Sequence, residues 1–542
     1  MTLFGEYMIC CGFGSGCGGK IISKGQEKEM FDKIKKKTCD ISWWMIVLVV
    51  VLSYGFLLTN QSIGIDDENF DFYFKNNGIV AAGRWGSWLL YKIFNTYDYF
   101  PVWRDFIAIL ILTGAAIIFI CIYESVSQIV LDKFISTTGV ALIISYPIIA
   151  KMFVYIDNSV ETAFCIFFGT FSYYIYISEI RNSYIRYISV VMSLVLGIAL
   201  IENTAVYFCI EVCLFGFLNK TEKKISTLIF KPAGILCLSV LISKVFGRLI
   251  AEYLGVVYSD YGSISYMKWG DVNGLEDIML HFKGLVGNFN YYMQKYFSIK
   301  IFFAALLFWI AVGIYQLVRK EFIKSILAFG IGAGSFSMFF ISLNENMPLR
   351  IYTSNFIAIV GAVLYLYFHL QQSNSKRRKI GKSLFVMAVV FVVFYNTREI
   401  NAYYQLDYKR YLRDADVARN VNNDLQKILG MVKPNKPVVF LGEPEQYNDI
   451  VNEGEISLIT IYSNNLKGES IRIHQFFSML GYEYPNILGE PVTIYNYSDF
   501  VNNSNIARAV ELSANMAAYP ANGYIRVEDE MIIIKLGEAN GT

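Results

Sequence analysis

The sequence predicts an α-helical polytopic membrane protein carrying a small C-terminal α/β soluble domain. Three observations predict it. Charged residues make up only 17% of the 542 residues, against about 25% in an ordinary soluble domain. Mean hydropathy is +0.41. The apolar residues are gathered into long runs, and the polar ones are concentrated after residue 395.

Spanning a bilayer as a helix takes about 20 apolar residues. The runs 43–59, 106–123, 135–153, 160–178, 187–201, 204–218, 228–248, 300–318, 325–343, 351–369 and 380–395 predict about eleven spans. Orientation follows from Lys and Arg, which collect on the cytoplasmic side. The segment 1–42 carries Lys20, Lys24, Lys28, Lys33, Lys35, Lys36 and Lys37 and is expected inside. Alternation then puts Lys133, the Arg181–Arg186 turn, Lys220–Lys224, Arg319–Lys324 and Lys376–Lys382 on the same side. The intervening short turns at 154–159, 202–203 and 344–350 offer only Arg350.

The expected division is therefore a cytoplasmic segment 1–42, a membrane domain 43–395 with outer loops 60–105 and 249–299, and an extracytoplasmic domain 396–542. In the last part, 403–430 reads as a polar helix, 436–442 as a strand, 498–517 as a helix and 524–536 as a hairpin of alternating apolar residues. Nine cysteines either precede the first run (Cys10, Cys11, Cys17, Cys39) or lie within apolar runs (Cys121, Cys165, Cys209, Cys213, Cys237). They predict no disulfide framework. The Gly- and Cys-rich stretch around Cys10–Cys17 lacks the paired spacing of a zinc site and reads as a tail. A net charge of 47 − 45 = +2 gives no reason to expect a nucleic-acid partner.

Ionisable groups at the bilayer midplane mark transport paths. Here they sit mostly at the outer ends of spans, with Glu211 and Lys244 better explained by interhelical pairing or snorkelling. Loop 60–105 opens Gly64-Ile65-Asp66-Asp67-Glu68 and continues to Gly83-Arg84-Trp85-Gly86. On a helix, Asp67 and Asp71 share a face (i, i+4), while Phe70, Phe72, Tyr73, Trp85 and Trp88 suit the membrane surface. An acidic helix-capping turn is the alternative. Asp157 with Asn158 and Glu161, Glu202 with Asn203, Asn344-Glu345-Asn346 with Arg350, and the aromatic loop around Lys268 and Trp269 would converge if the helices bundle. The result would be an acidic, aromatic, amide-rich cavity suited to carbohydrate. Arg84, Lys268 and Arg350 are the cations available for a phosphate, arginine having the better bidentate geometry.

The acid pair Asp66-Asp67 after the first span, Gly83-Arg84-Trp85, the many spans and the closing Tyr519-Pro520…Gly523-Tyr524 hairpin resemble the bacterial glucosyl transferase II family. The resemblance implies a GT-C-like fold, a polyprenyl-phosphate sugar donor, a surface-polysaccharide acceptor such as O-antigen, and an acid of the Asp66-Asp67 pair as catalytic base. The chemistry agrees. A sugar phosphate already carries its leaving group, so what is needed is a carboxylate for the acceptor's proton and cations for the departing phosphate. Direct displacement inverts the anomeric carbon. Asp157, Glu202 and Glu345 are candidates for donor or acceptor hydroxyls. Acids of this kind could equally ligate Mg²⁺ or Mn²⁺.

Three rivals are weaker. A flippase or exporter of a lipid-linked glycan wants charges along the midplane. A histidine-type acyltransferase wants a histidine site, and His281, His369 and His474 are scattered. A non-catalytic scaffold for glycan assembly would survive loss of Asp66 or Asp67.

Overall fold

The computed structural model describes residues 40–64, 67, 77–94, 101–178, 182–219, 224–258, 268–345, 348–371, 376–430, 438–444, 460–463, 469–482, 494–496 and 504–537, with the single positions 34, 37, 38, 180, 436 and 458. It is mostly helical. The helices in chain order are α1 (Trp43–Thr59), α2 (Trp85–Phe94), α3 (Pro101–Ser127), α4 (Lys133–Ile144), α5 (Pro147–Phe153), α6 (Ile156–Ile177), α7 (Ser183–Leu200) and α8 (Asn203–Leu218). They continue as α9 (Lys231–Tyr253), α10 (Leu275–Lys295), α11 (Phe297–Val318), α12 (Phe322–Ser335), α13 (Ser337–Ser342), α14 (Asn355–Gln371) and α15 (Lys376–Leu429). The C-terminal part adds α16 (Glu469–Met479), α17 (Ser504–Ser513) and the strands β1 (Val438–Leu441), β2 (Ile494–Asn496), β3 (Ile525–Val527) and β4 (Ile532–Lys535).

Among the described residues, seven helices are long and apolar enough to cross a membrane, and the bent pair α4–α5 adds an eighth candidate. Three shorter apolar helices, α1, α8 and α12, accompany them. The apolar run 135–153 is thus one stretch in sequence and two helices in space. Pro147 is the reason: it opens α5, and the residue before a proline is pushed out of the α region. Tyr146 is accordingly extended, at ψ 115°, and the axis turns by 47°. The nearly continuous runs 187–201 and 204–218 likewise separate where Ile201 goes extended. Gly197 lets α6, α7 and α8 close at that corner, since a Cβ there would lie 2.5 Å from Thr204 and 2.8 Å from Phe168.

The division drawn at residue 395 falls inside α15. The predicted last span and the predicted polar helix are one helix of 54 residues, because no Gly or Pro interrupts the chain between Gly381 and Leu429. Its second half becomes a layer of the C-terminal unit. There the sheet order is β2-β1-β4-β3, with β1 parallel to β2 and β4, and β3 antiparallel to β4. The hairpin and the first strand match the expectation; β2 and α16 were not foreseen. Val438, Phe440, Ile532 and Ile534 face Val421, Leu425, Ile473 and Phe477 of α15 and α16. Val439, Leu441 and Ile533 face Ala509 of α17. Both central strands are buried on both faces, which is why they read as VVFL and IIIK rather than as alternating.

Loop 60–64 packs into this unit, not only onto the bundle. Ile63 belongs to the α15–α16–sheet core. Its carbonyl accepts from Arg410 at 2.7 Å, and the Ser62 hydroxyl donates to Asp407. Arg410, fully buried, also meets Asp407 at 3.1 Å and Asp414 at 3.5 Å. Breaking a buried ion pair from one side costs about 3–5 kcal/mol. Arg410→Ala leaves two buried carboxylates and a backbone carbonyl without their cation. We expect a clear fall in the apparent Tm of the purified protein, read by exposure of the buried Cys121 and Cys165 thiols to a maleimide dye, whereas Arg419→Ala, an exposed pair, leaves it within error.

Candidate functional site

The candidate site is organised around the turn between α5 and α6, Val154–Asn158. Three of the sequence candidates reach it from three directions. Asp67 comes from the loop after α1, Arg84 from the approach to α2, and Arg350 from the 3₁₀ turn Leu349–Tyr352.

Asp67 is completely buried. Its carboxylate accepts the Gly64 amide at 2.8 Å, and its own amide donates back to the Gly64 carbonyl at 3.3 Å. The turn so closed rests on the end of α5: a Cβ on Gly64 would come within 3.2 Å of the Val154 carbonyl and 2.7 Å of the Asp67 carboxylate. A side chain there would displace the Asp67 carboxylate.

The Gly83-Arg84-Trp85-Gly86 segment aims Arg84. Gly83 has φ +84°, a conformation costly for any residue with a Cβ. Trp85 inserts its indole and donates to the Ser243 carbonyl of α9 at 3.1 Å. Gly86 meets the end of α7 so closely that a Cβ would lie 2.8 Å from Ala199. With both neighbours locked, the Arg84 guanidinium donates to Asn158 at 3.1 Å, and its charge also bears on Glu161.

Arg350 lays its guanidinium 4.6 Å from the Tyr155 ring centroid, an arrangement worth more where water is excluded. Its 3₁₀ turn is held from α8, where the Asn203 side chain donates to the Ile351 carbonyl at 3.2 Å, and the Tyr207 hydroxyl meets Thr353. Asn203 and the Arg350–Tyr155 contact thus link the turns 154–159, 202–203 and 344–350, while the carboxylates of Glu202 and Glu345 are engaged elsewhere.

The remaining candidates are placed elsewhere. Glu202 forms a 2.5 Å ion pair with Lys244, both partly exposed. That pairing explains a lysine well inside α9. Glu345 lies 2.5 Å from the Nδ1 of His281, its carbonyl accepts from Asn288 at 2.8 Å, and the charge of Lys268 is close by. Lys268 and Glu345 thus share one corner, against α10. Asp66 and Asp71 lie outside the described residues, as does the side chain of Asp157.

Two charges that were not singled out lie beneath the turn. Arg104 pairs with Glu161 at 3.1 Å, both buried, and bonds the Tyr91 hydroxyl while covering its ring at 4.9 Å. Asp105, 1% exposed, neighbours Ser159 and Arg104. The signal for them was available: two opposite charges between Trp103 and Phe106, at the mouth of an apolar run. Among the described residues no three His, Cys, Asp or Glu side chains gather as a metal site.

Arg84 and Arg350 thus reach one turn at Asn158 and at Tyr155, with Asp67 and the Arg104–Glu161 pair buried beside it. The family model of the glucosyl transferase GtrII matches residues 55–350, more than half of the chain. The chain belongs to the GtrII family. No curated protein and no solved structure matches it. GtrII membership makes it a glycosyltransferase, and the matched stretch runs from within α1 to Arg350. It holds every candidate residue named above, and it leaves α14, α15 and the α/β unit outside.

Two outcomes follow for this GtrII site. Glu161→Gln leaves Arg104 buried beside a neutral partner and lowers stability by about 3–5 kcal/mol. The double change Arg104→Met with Glu161→Met costs less than either Arg104→Met or Glu161→Met alone, and a double-mutant cycle on Tm measures it. At Glu345, burial pushes the carboxyl up, but the His281 hydrogen bond and nearby charges outweigh it and hold it below its ordinary value. A depressed carboxyl adds stability above its unfolded pKa and loses it as pH falls through the lower folded one. The protection of α10 amides relative to their intrinsic exchange should therefore be full at neutral pH and fall only below about pH 4. Glu345→Gln removes that acid limb.

Proposed function

We propose that this GtrII glycosyltransferase moves glucose from a polyprenyl-phosphate donor to a surface polysaccharide, or its lipid-linked precursor, on the outer face of the cytoplasmic membrane. The observation that carries the reading is the meeting of Asp67, Arg84 and Arg350 on the Val154–Asn158 turn. In the GT-C-type arrangement proposed, eleven spans start from a cytoplasmic N-terminus, and the α/β unit shares the outer side with loop 60–64, whose Ile63 packs into its core.

The reaction needs one bond made and one broken. The acceptor hydroxyl attacks the anomeric carbon as the carbon–oxygen bond to phosphate breaks, its proton passes to a carboxylate, and the configuration inverts. Arg84 and Arg350 take the negative charge that grows on the leaving phosphate. Lys268 stands with Glu345 as a second corner for donor or acceptor groups, and Asp157 and Glu202 would meet sugar hydroxyls. Asp67 is wholly buried and holds the Gly64 amide, so we assign it the shape of the loop and assign Asp66 the proton. The described acids do not gather as a set of ligands, so a divalent ion, Mg²⁺ or Mn²⁺, would have to be held by Asp66 together with substrate oxygens; loss of turnover on chelation, reversed by added metal, tests that.

The deciding experiment is the sugar composition and linkage of surface glycan in a deletion strain carrying each variant. Wild type should restore one side-branch glucose. Asp66→Asn, membrane-inserted at normal level, should restore none. Asp67→Asn should lower both protein level and glucose. Arg84→Gln and Arg350→Gln should each cut transfer by about 10²-fold or more. An unchanged glycan in the deletion strain would sink the proposal, and full rescue by Asp66→Asn would move the proton elsewhere.

A further inference from the structure

Helix α10 presents two adjoining apolar faces and only one of them is packed. Leu285 and Phe289 are buried, with the Phe289 ring 5.2 Å from Phe336 and from Tyr352 and 5.8 Å from Phe303. That face seats α10 on α11, on Phe336 after α12, and on the Leu349–Tyr352 turn. Beside it runs a second stripe, Leu275, Met279, Phe282 and Val286, spaced i, i+4, i+7 and i+11. These four are between 45% and 80% exposed. Next to the stripe on its other side runs a polar arc, Glu276, Lys283, Asn290 and Gln294, with Leu280 and Tyr291 exposed beyond it.

A bare apolar stripe of this length marks a surface with a partner. Its position says which. Phe282 stacks edge-on against Phe339 at 6.3 Å, and Phe339 leads directly to Phe340 and Ile341 of α13, which are 48% and 50% exposed. Trp269, the kind of residue that gathers at membrane interfaces, donates to the Ile341 carbonyl at 3.0 Å. The stripe is therefore continuous with the apolar outside of the helix bundle, the surface that meets lipid in a membrane protein.

We propose that α10 is a membrane-surface helix, lying in the bilayer plane with Leu275, Met279, Phe282 and Val286 sunk among lipid acyl chains. Helices of this type bury their apolar face about 5–10 Å deep. Its far side is tied to the turn that carries Arg350, through His281 to the Glu345 carboxylate and Asn288 to the Glu345 carbonyl. Lipid thereby sets the height of that turn relative to the bilayer, where any lipid-borne substrate must present its head. The inference depends only on the chain being in a membrane and not on the reaction assigned above.

The test uses the full chain in phosphatidylethanolamine–phosphatidylglycerol nanodiscs, with bimane on Met279→Cys or on Leu280→Cys. Leu280 is 67% exposed but lies beyond the polar arc, about 100° round the helix. The signal from the labelled unmutated protein is subtracted. A nitroxide at lipid carbon 5 should quench the residue-279 label about threefold more than the residue-280 label, and aqueous iodide should show the reverse order. Equal iodide quenching at both positions overturns the proposal in favour of a solvent-exposed helix. Protection of position 279 from both quenchers overturns it in favour of a protein partner. Should Met279→Cys fail to fold, Val286→Cys reads the same stripe.

Discussion

Arg410 holds together three pieces that the chain supplies far apart. Its guanidinium is wholly buried and meets the Ile63 carbonyl, Asp407 and Asp414. Asp407 in turn takes the Ser62 hydroxyl, and Asp414 takes the Thr460 hydroxyl at 2.7 Å and the Ile461 amide at 3.0 Å. A charge so enclosed is tolerable only if its partners all stay in place. The loop after α1, the middle of α15 and the α/β unit are consequently one structure. The unit is not a passenger on a linker; it is clamped to the segment that carries Asp67.

The same long helix also braces the broken span. Tyr404 of α15 donates to the Ala150 carbonyl at 3.0 Å, and Tyr54 of α1 donates to the Ile144 carbonyl at 2.8 Å, one on each side of the Pro147 break. Lys151 of α5 lies 3.9 Å from the Tyr296 ring and 4.7 Å from the Tyr403 ring. Carbonyls freed by a kink inside an apolar bundle need such donors, because no water is there to replace them. The brace has a chemical consequence. Helix α5 ends at Phe153, so whatever fixes α5 also fixes Val154 and Tyr155, the residues that support Asp67 and Arg350.

Much of this was legible in the residues. The helices follow the apolar runs, since hydropathy and length decide membrane helices almost unaided. The strand at 436–442 and the closing hairpin were visible as apolar punctuation in a polar stretch. The motif Gly83-Arg84-Trp85 could be seen, and its structural meaning could not: nothing in the order of residues says that Gly86 meets Ala199 or that Trp85 reaches Ser243. Arg104 and Asp105 abut an apolar run and, in sequence, are indistinguishable from its border. The boundary between residues 395 and 396 falls inside a helix for a related reason. A change from apolar to polar composition marks where a helix leaves lipid, and it does not mark where the helix ends. Helix α15 continues through that change, and the buried Arg410 cluster lies beyond it.

That continuity bears on how the family match should be understood. The match stops at Arg350, whereas the supports of the matched segment do not. Ile63 rests against α15 and α16, Ser62 bonds Asp407, and α5 is braced by Tyr403 and Tyr404. The matched segment is therefore incomplete by itself: its acid loop and its central turn are both positioned by residues after 395. A sequence stretch can be recognisable because its residues face a substrate, while the scaffold that holds it need keep only volume, charge pairing and helix length. In this chain the two roles are divided along the sequence and rejoined at Arg410.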